Sequence, residues 1–485
     1  MKKKIVLGIF SCILLAAFLL RLYRINNPIG DWHAFRQADT SAVSKVYVEQ
    51  GVDLLHPKYF DISNIQSGKD NPEGYRFVEF PIFNFFQVEL FKTVGKLTLE
   101  EWGRLLSVAA TLVSTTFIFL IVKKRLDSLS ALFAAFFFAV LPYSLYYGRV
   151  ILPDPSMAAA ILGGIYFFDL FCDRLKEKKN PKTYVYLALS ILFTAGSFLL
   201  KPFALFFTLP MLYIAWKEFG LGMFKKWQLY VFAALAIVPL VFWRAWITQY
   251  PEGIPVSGWL FNGGNIRFTG AYFYWIFAER IGKLMLGYFG LVLLFLGFFK
   301  QDEKDYGLFI AFLVSSLLYV TVIARGNVQH DYYQILILPT LCIFLGRGAS
   351  YLLRLPSLIG RNLGINTLVA FASLGLITAF TLFFSWYYVR DYFNINNMGL
   401  VTAGKIADRV LPKDAKVIAA NDGDTSFLYY INRKGWPAWE KGAEELKQMG
   451  ATHIVIPTPT KNDFEGLGKQ FKRYYSSPEV LILTL

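Results

Sequence analysis

Long apolar runs alternate with short polar segments from the start of the chain to about residue 390. Each run holds roughly 16 to 22 residues, enough to cross a hydrocarbon core about 30 Å thick as a helix. Backbone groups in lipid must find partners within their own segment, so these runs predict helices. We expect a polytopic α-helical membrane protein with about eleven transmembrane helices. They are placed at residues 5–20, 105–122, 128–143, 157–171, 184–200, 202–216, 230–246, 284–299, 308–323, 333–345 and 368–388.

The pattern changes after residue 390, where short strand-like segments alternate with short helix-like ones. Strands are predicted at residues 416–420, 453–457 and 480–484, and helices at 402–410, 425–431 and 441–449. This order is typical of a small α/β domain. We therefore assign residues 1–390 to a transmembrane domain and residues 391–485 to an α/β domain.

Charge adds an orientation to this picture. The chain has 485 residues, 55% of them hydrophobic, and a formal net charge of +15. Its basic clusters lie between apolar runs, in alternate short loops, which is typical of cytoplasmic loops and argues against a nucleic-acid-binding face. The clusters are residues 2–4, 123–125, 174–182, 225–226 and 347–361. The N-terminus is then cytoplasmic, and residues 23–104, 248–283 and 389–485 are extracytoplasmic.

Two stretches of the first outer segment, residues 23–104, have their own pattern. Residues 40–50 are amphipathic, and residues 80–91 are strongly aromatic. Both predict juxtamembrane helices that lie in the plane of the membrane interface.

Ionisable residues gather on the outer side of this topology. Charges at a membrane face are costly unless they serve a pathway or a site. We expect them to meet around one cavity that is open to lipid at the outer leaflet. They are Asp31, His33, Arg36, Asp39 and Glu79 in the first outer segment, and Arg149, Asp154, Lys201, Arg325, His330 and Asp331 near later helix ends.

This mixture of side chains suits the transfer of a group from a lipid phosphate. A carboxylate accepts the proton of the attacking hydroxyl. Arginine and lysine balance the charge that develops on the departing phosphate, arginine with two parallel hydrogen bonds and lysine as a compact charge.

Each residue also has a structural interpretation. Asp39 precedes an amphipathic run and Asp154 stands between two prolines at a helix start, so either is a candidate helix N-cap. Lys201 at a helix end could extend to lipid headgroups. His330, beside aromatic residues, could be a surface residue. Their coincidence on one side of the membrane favours a site.

Five short motifs, in their order between helices, resemble one family. They are RQADT at residues 36–40, Glu79-Phe80-Pro81, Leu152-Pro153-Asp154, Lys201-Pro202, and His330-Asp331-Tyr332-Tyr333 ahead of Pro339. The chain resembles the GT-C membrane glycosyltransferases of glycosyltransferase family 39, which comprises protein mannosyltransferases and aminoarabinose transferases. The resemblance covers residues 4–388 and implies the GT-C fold.

The resemblance implies a glycosyltransferase of the inner (plasma) membrane that inverts the anomeric carbon. Its donor is a polyprenyl-phosphate sugar, in bacteria on undecaprenyl phosphate, and its acceptor is a lipid, glycan or protein hydroxyl. Asp39, Glu79 and Asp154 match acidic positions of the catalytic pocket, with Asp31 as the alternative base. Some relatives use a divalent cation, Mg²⁺ or Mn²⁺, which these three carboxylates would hold. The expected substrate-binding residues are Arg36, Lys201, Arg149, Arg325, His330 and Tyr333.

Two other classes of function fit part of the pattern. A transporter or a flippase for lipid-linked sugars also has many helices, but it commonly shows internal repeats and charges near the bilayer midplane. An assembly protein, with the tail as a docking module, leaves the outer charges without a purpose. The enzyme is therefore the preferred interpretation.

Overall fold

The computed structural model of the protein describes residues 3–177, 182–299, 305–359 and 363–485. The chain divides into two compact units, each built from three stretches of sequence. The first unit comprises residues 1–25, 105–243 and 257–391, and the second comprises residues 26–104, 244–256 and 392–485.

The first unit is helical. Its α-helices, including two that extend beyond its limits, are Lys3–Arg21, Leu99–Arg125, Ser128–Val140, Pro142–Tyr147, Asp154–Leu175, Lys182–Leu200, Leu209–Phe219, Trp227–Ile247, Trp259–Asn262, Gly270–Phe273, Gly290–Gly297, Tyr306–Val322, Ala324–Gln329, Leu338–Ile359 and Leu363–Val389. Five further stretches are 3₁₀ or π helix: Pro202–Thr208, Gly220–Lys225, Gly263–Phe268, Tyr274–Met285 and Asp331–Leu336.

Six helical segments in the described part of the chain are long and apolar enough to cross a membrane. They are Lys3–Arg21, Leu99–Arg125, Asp154–Leu175, Lys182–Leu200, Trp227–Ile247 and a segment that begins at Gly364. The pair Gly270–Met285 and Gly290–Gly297, bent by 113°, makes a seventh if it forms one span. The expectation of a multi-pass membrane protein is confirmed, and the count of eleven spans stays a prediction.

One predicted transmembrane helix is interrupted in a way that bears on the candidate site. The sequence predicts a helix over residues 202–216, but a 3₁₀ stretch, Pro202–Thr208, precedes the α-helix Leu209–Phe219. Lys201 has an extended backbone, with φ −158° and ψ 128°. A residue before proline avoids the helical conformation, so Pro202 fixes Lys201 at a break between helices.

The expectation that residues 347–361 form a loop is wrong over the described part of that stretch. The helix Leu338–Ile359 continues through it, and Arg347 is fully buried. Its guanidinium donates to the carbonyls of Gly297 at 2.9 Å and Phe299 at 3.2 Å. Because arginine carries five donors, it satisfies carbonyls left free at the end of another helix and tolerates burial.

The second unit combines helices with a sheet. Its α-helices are Ala34–Gln50, Ile82–Val94, Met398–Val410, Ser426–Ile431, Ala443–Gln448, Lys461–Glu465 and Leu467–Gln470. Its strands are β1 (Val417–Ile418), β2 (Gly435–Trp436), β3 (His453–Pro457), β4 (Lys472–Ser476) and β5 (Val480–Thr484). The strand order is β2-β1-β3-β5-β4, parallel from β2 to β3 and antiparallel from β3 to β4.

Residues 60–62 of the first outer segment extend this sheet beside β2. The Ile62 amide donates to the Gly435 carbonyl at 3.0 Å, and the Gly435 amide donates to the Phe60 carbonyl at 2.9 Å. Ile62 also joins the apolar core beneath the sheet with Ile418 and Trp436. The first outer segment and the C-terminal residues therefore fold as one unit, a grouping that hydropathy does not predict.

Candidate functional site

The helix Ala34–Gln50 carries two of the predicted site residues. Arg36 and Asp39 are three residues apart, so they lie on one face of this helix, and both are buried. The interpretation of Asp39 as an N-cap is wrong, because the helix begins at Ala34 and Asp39 lies inside its second turn. A buried carboxylate within a helix needs a partner from elsewhere in the fold.

Asp39 receives two such partners. Arg76 forms an ion pair with Asp39 Oδ2 at 2.5 Å, and the Thr425 hydroxyl donates to Oδ1 at 2.6 Å. A second ion pair joins Arg36 to Glu79. We call Arg36, Asp39, Arg76 and Glu79 the arginine–carboxylate cluster. It lines a cavity of about 20 Å³, which has room for one water molecule.

Two members of this arrangement were not predicted from the sequence. Arg76 stands only three residues before Glu79, and a charged residue so close to a candidate motif was a usable signal. Thr425 comes from the C-terminal part of the chain, and nothing in its local sequence indicates that it contacts Asp39. Both act directly on the carboxylate that we expect to be the base.

The alternative base, Asp31, has different surroundings. It is fully buried, accepts from Gln37 Nε2 at 2.6 Å, and lies 3.8 Å from the Arg104 guanidinium. It is not among the residues that line the cavity beside Asp39. Which of the two carboxylates acts as the base stays a prediction.

The arginine–carboxylate cluster does not fit a divalent cation in this arrangement. A guanidinium adjoins each of the two carboxylates, where it would repel a metal ion. Within the ranges that the structure describes, no group of three or more histidine, cysteine, aspartate or glutamate residues is placed to hold a metal. The expected cation at Asp39, Glu79 and Asp154 stays a prediction.

A second group of predicted residues meets within the first unit. Lys201 Nζ lies 2.7 Å from Asp154 Oδ1, and both residues are buried. The ammonium also lies 5.2 Å from the ring centres of Tyr332 and Tyr333, a distance at which a cation is attracted to an aromatic face. We call Asp154, Lys201, Tyr332 and Tyr333 the lysine cluster.

The structure contradicts the interpretation of Lys201 as a residue that extends to headgroups and of Asp154 as a helix N-cap. Lys201 is only 6% exposed, so it does not extend to headgroups at the helix end as a surface lysine would. Asp154 is the first residue of the helix Asp154–Leu175, and its Oδ1 pairs with Lys201. Within this buried pair, each charge compensates the other.

The remaining predicted residues lie at different places in the first unit. Half-buried His330 packs against Trp259, Tyr332 and Tyr333, with ring centres 5.4 to 5.8 Å apart. Arg325 lies beside Gly263. Arg149 is fully buried and donates to the Arg24 carbonyl at 3.0 Å, so it links two segments that are distant in the sequence. Substrate binding by these three residues stays a prediction.

Asp331, beside His330, is one of the outer ionisable residues to which the sequence assigned no catalytic or binding role. It is buried, accepts from the Tyr147 hydroxyl, and lies 3.8 Å from the Arg280 guanidinium. The motif at residues 330–333 already contained it. A further pair of opposite charges, Asp331 and Arg280, therefore stands next in sequence to the tyrosines of the lysine cluster.

The two clusters supply the expected kinds of group: a buried carboxylate with arginine partners, and a buried lysine with an acidic partner between aromatic rings. The first can receive a proton, and the second can balance the charge of a phosphate. That all of these residues serve one cavity stays a prediction from the sequence.

Comparisons with known proteins bear on the fold. Residues 80–246 match the family model described as dolichyl-phosphate-mannose-protein mannosyltransferase. ArnT from Cupriavidus metallidurans, solved with bound undecaprenyl phosphate, aligns over 100% of this chain and 98% of its own at 11% identity and a TM-score of 0.66. The oligosaccharyltransferase of Archaeoglobus fulgidus, solved with zinc and sulfate, aligns over 98% and 72% at 12% identity and a TM-score of 0.57. A search of curated proteins found no significant match.

Proposed function

We propose that this chain, which has the fold of the GT-C membrane glycosyltransferases and the matching family segment over residues 80–246, is an inverting glycosyltransferase. Its donor is a sugar on a polyprenyl phosphate, with undecaprenyl phosphate as the carrier. Its acceptor is a hydroxyl of a lipid, a glycan or a protein at the outer face of the plasma membrane. The comparisons do not favour a transporter or flippase.

The observation that carries the proposal is the burial of Lys201. An ammonium within an apolar helical unit is costly, and such residues usually mark a site or a pathway. Lys201 stands at a proline-enforced break between helices, pairs with Asp154 and faces two tyrosine rings. Both charged residues lie inside the segment that matches the mannosyltransferase family model. A bound phosphate supplies the anion that such a lysine is suited to hold.

The reaction is a direct displacement. The acceptor oxygen forms a bond to the anomeric carbon, and the bond from that carbon to the phosphate oxygen breaks. The acceptor proton passes to the Asp39 carboxylate, and the polyprenyl phosphate leaves with the electron pair. Arg76 and Thr425 hold the Asp39 carboxylate in place, and each of its oxygens keeps a further lone pair that can take the proton. Lys201 balances the charge of the leaving group.

The experiment that tests this proposal uses the purified full chain with a panel of radiolabelled polyprenyl-phosphate sugars. We expect release of label from at least one lipid donor. Asp39→Asn should lower the rate at saturating donor by at least about a hundredfold, because an amide keeps the shape but loses the basicity. Lys201→Ala should chiefly raise the donor concentration needed for half the maximal rate, with less effect on the use of the acceptor.

Matched controls are available on the same chain. Asp414→Asn and Lys225→Ala change exposed residues that lie outside both clusters, and both should keep the rate of the unchanged protein. Full turnover in Asp39→Asn would remove Asp39 from catalysis. If label is released from none of the donors, the proposal that this protein is a glycosyltransferase is contradicted.

A further inference from the structure

A second cavity in the second unit has no role in the function described so far. It measures about 190 Å³, against about 20 Å³ for the cavity beside Asp39. Its walls come from the start of the helix Ala34–Gln50, from residues 396–401 and from residues 421–430. The lining residues that carry the argument are Ala34, Asn396, Asn421, Asp424, Ser426 and Tyr430.

The lining of this cavity is suited to hydroxyl groups. Asparagine amides, hydroxyls and a carboxylate together both donate and accept hydrogen bonds, as the hydroxyls of a sugar do. The Tyr430 hydroxyl is buried and has no hydrogen-bond partner of normal geometry within the described residues. No lysine or arginine is among the described residues that line the cavity, which disfavours a phosphate.

The cavity adjoins the proposed base along the chain. Thr425, whose hydroxyl donates to Asp39 at 2.6 Å, stands between two lining residues, Asp424 and Ser426. Asp424 is part of the same local arrangement, because its carboxylate accepts from the Ser426 amide at 2.8 Å. Burial, helped by the nearby Asp39 charge, raises the pKa of Asp424 and so favours a neutral hydrogen-bonding ligand over a second anion.

We propose that this cavity binds one sugar ring of the acceptor. The acceptor is then a carbohydrate chain or a glycolipid, which narrows the acceptor class and rests on the proposed function. The volume suits a single ring, and the Asn396 side chain at the wall of the cavity can both donate to and accept from the hydroxyls of such a ligand. Binding here would hold the acceptor close to Asp39 through the segment that includes Thr425.

The test uses the full chain in detergent and simple methyl glycosides of glucose, mannose and galactose as probes, without any donor. Saturation-transfer NMR reports which probe contacts the protein. We expect saturable binding of at least one probe. Asn396→Ala should weaken it roughly three- to tenfold, the effect of one hydrogen bond, and Ala34→Phe should abolish it by filling the cavity.

Asn462→Ala is the matched control, because Asn462 is an exposed asparagine of the same unit that does not line the cavity. Thermal unfolding of each variant separates lost binding from lost folding. Equal signals in all variants, or no signal with any probe, would overturn the inference even if transfer from a lipid donor occurs. Binding that depends on Asn396 while no donor is turned over would contradict the proposed function and leave the sugar site standing.

Discussion

At the residue scale, the structure compensates each buried charge of the candidate site with a partner far away in the sequence. Asp39 pairs with Arg76, Arg36 with Glu79, and Asp154 with Lys201. Removing one partner of a buried pair leaves an uncompensated charge, which typically costs about 3–5 kcal/mol. These pairs therefore belong to the candidate site and also stabilise the folded protein.

The sequence predicted the identity of these residues better than their contacts. Asp39, Glu79 and Lys201 follow from motifs and from position along the membrane. Arg76 and Thr425 could not be assigned as partners of Asp39, because they stand 37 and 386 residues away from it. The alternation of apolar runs and basic loops predicts on which side of the membrane a residue lies, but it does not predict which residues pair.

Asp61 provides a test of buried charge outside the candidate site. It is fully buried, its Oδ1 accepts from the Ser63 amide at 2.8 Å, and its Oδ2 accepts from the Tyr59 hydroxyl at 3.2 Å. Burial raises its pKa to about 6. Below pH 4 this carboxyl is protonated in both the folded and the unfolded chain. Between pH 4 and 6 only the folded chain keeps the proton, so raising the pH destabilises the fold, by an amount on the order of 3 kcal/mol.

We therefore predict that Asp61→Asn makes stability less dependent on pH. The unfolding temperature of the unchanged protein should fall more between pH 4 and 7 than that of Asp61→Asn, because an amide does not titrate. Asp414→Asn, at an exposed site, should follow the unchanged protein. The measurement is intrinsic fluorescence during heating in detergent, and parallel curves for both aspartate variants would contradict the assignment.

At the scale of secondary-structure elements, the sequence predicted those with a strong apolar pattern. Strands β3 and β5 lie where they were expected, at His453–Pro457 and Val480–Thr484. Strands β2 and β4 were not predicted. Strand β2 has only two residues, and β4 is largely exposed, so neither shows the alternation that identifies a half-buried strand.

Strand β2 depends on a glycine. A methyl group added at Gly435 would lie 2.0 Å from the Val417 carbonyl oxygen, an atom of the backbone of β1. We predict that Gly435→Ala destabilises the second unit by about 1–3 kcal/mol, the usual effect of overpacking. Gly442→Ala is the control, since no atom lies within 4 Å of the added group. The measurement is the midpoint of chemical unfolding of both variants. Equal midpoints would contradict the prediction, because β1 and β2 would then accommodate the added methyl group at little cost.

At the scale of the whole molecule, the alternation of basic loops predicts an orientation. Residues 23–104 and the C-terminal tail should be extracytoplasmic, and the loop at Lys225 cytoplasmic. In a background without the native cysteines, Lys69→Cys and Lys469→Cys should react with a membrane-impermeant maleimide added to intact cells. Lys225→Cys should react only after the membrane is opened. All three positions are exposed, so each can react wherever the reagent reaches it. Labelling of Lys225→Cys in intact cells would contradict the predicted orientation.

The division into units could be predicted only in part. The change of pattern at residue 390 marks the start of the tail, and the helices of the first unit follow from hydropathy. The membership of residues 26–104 in the second unit depends on backbone hydrogen bonds such as those of Phe60 and Ile62. Contacts of this kind leave no periodic trace in a single sequence.

The pairing of residues 60–62 with Gly435 has a consequence for how the protein is made. The early segment emerges from the ribosome long before its sheet partner, so it must wait in an incomplete state while most of the chain is translated and inserted. A chain that stops before residue 435 leaves this segment permanently without its partner, and quality-control proteases should remove such a fragment even though every upstream helix has been inserted.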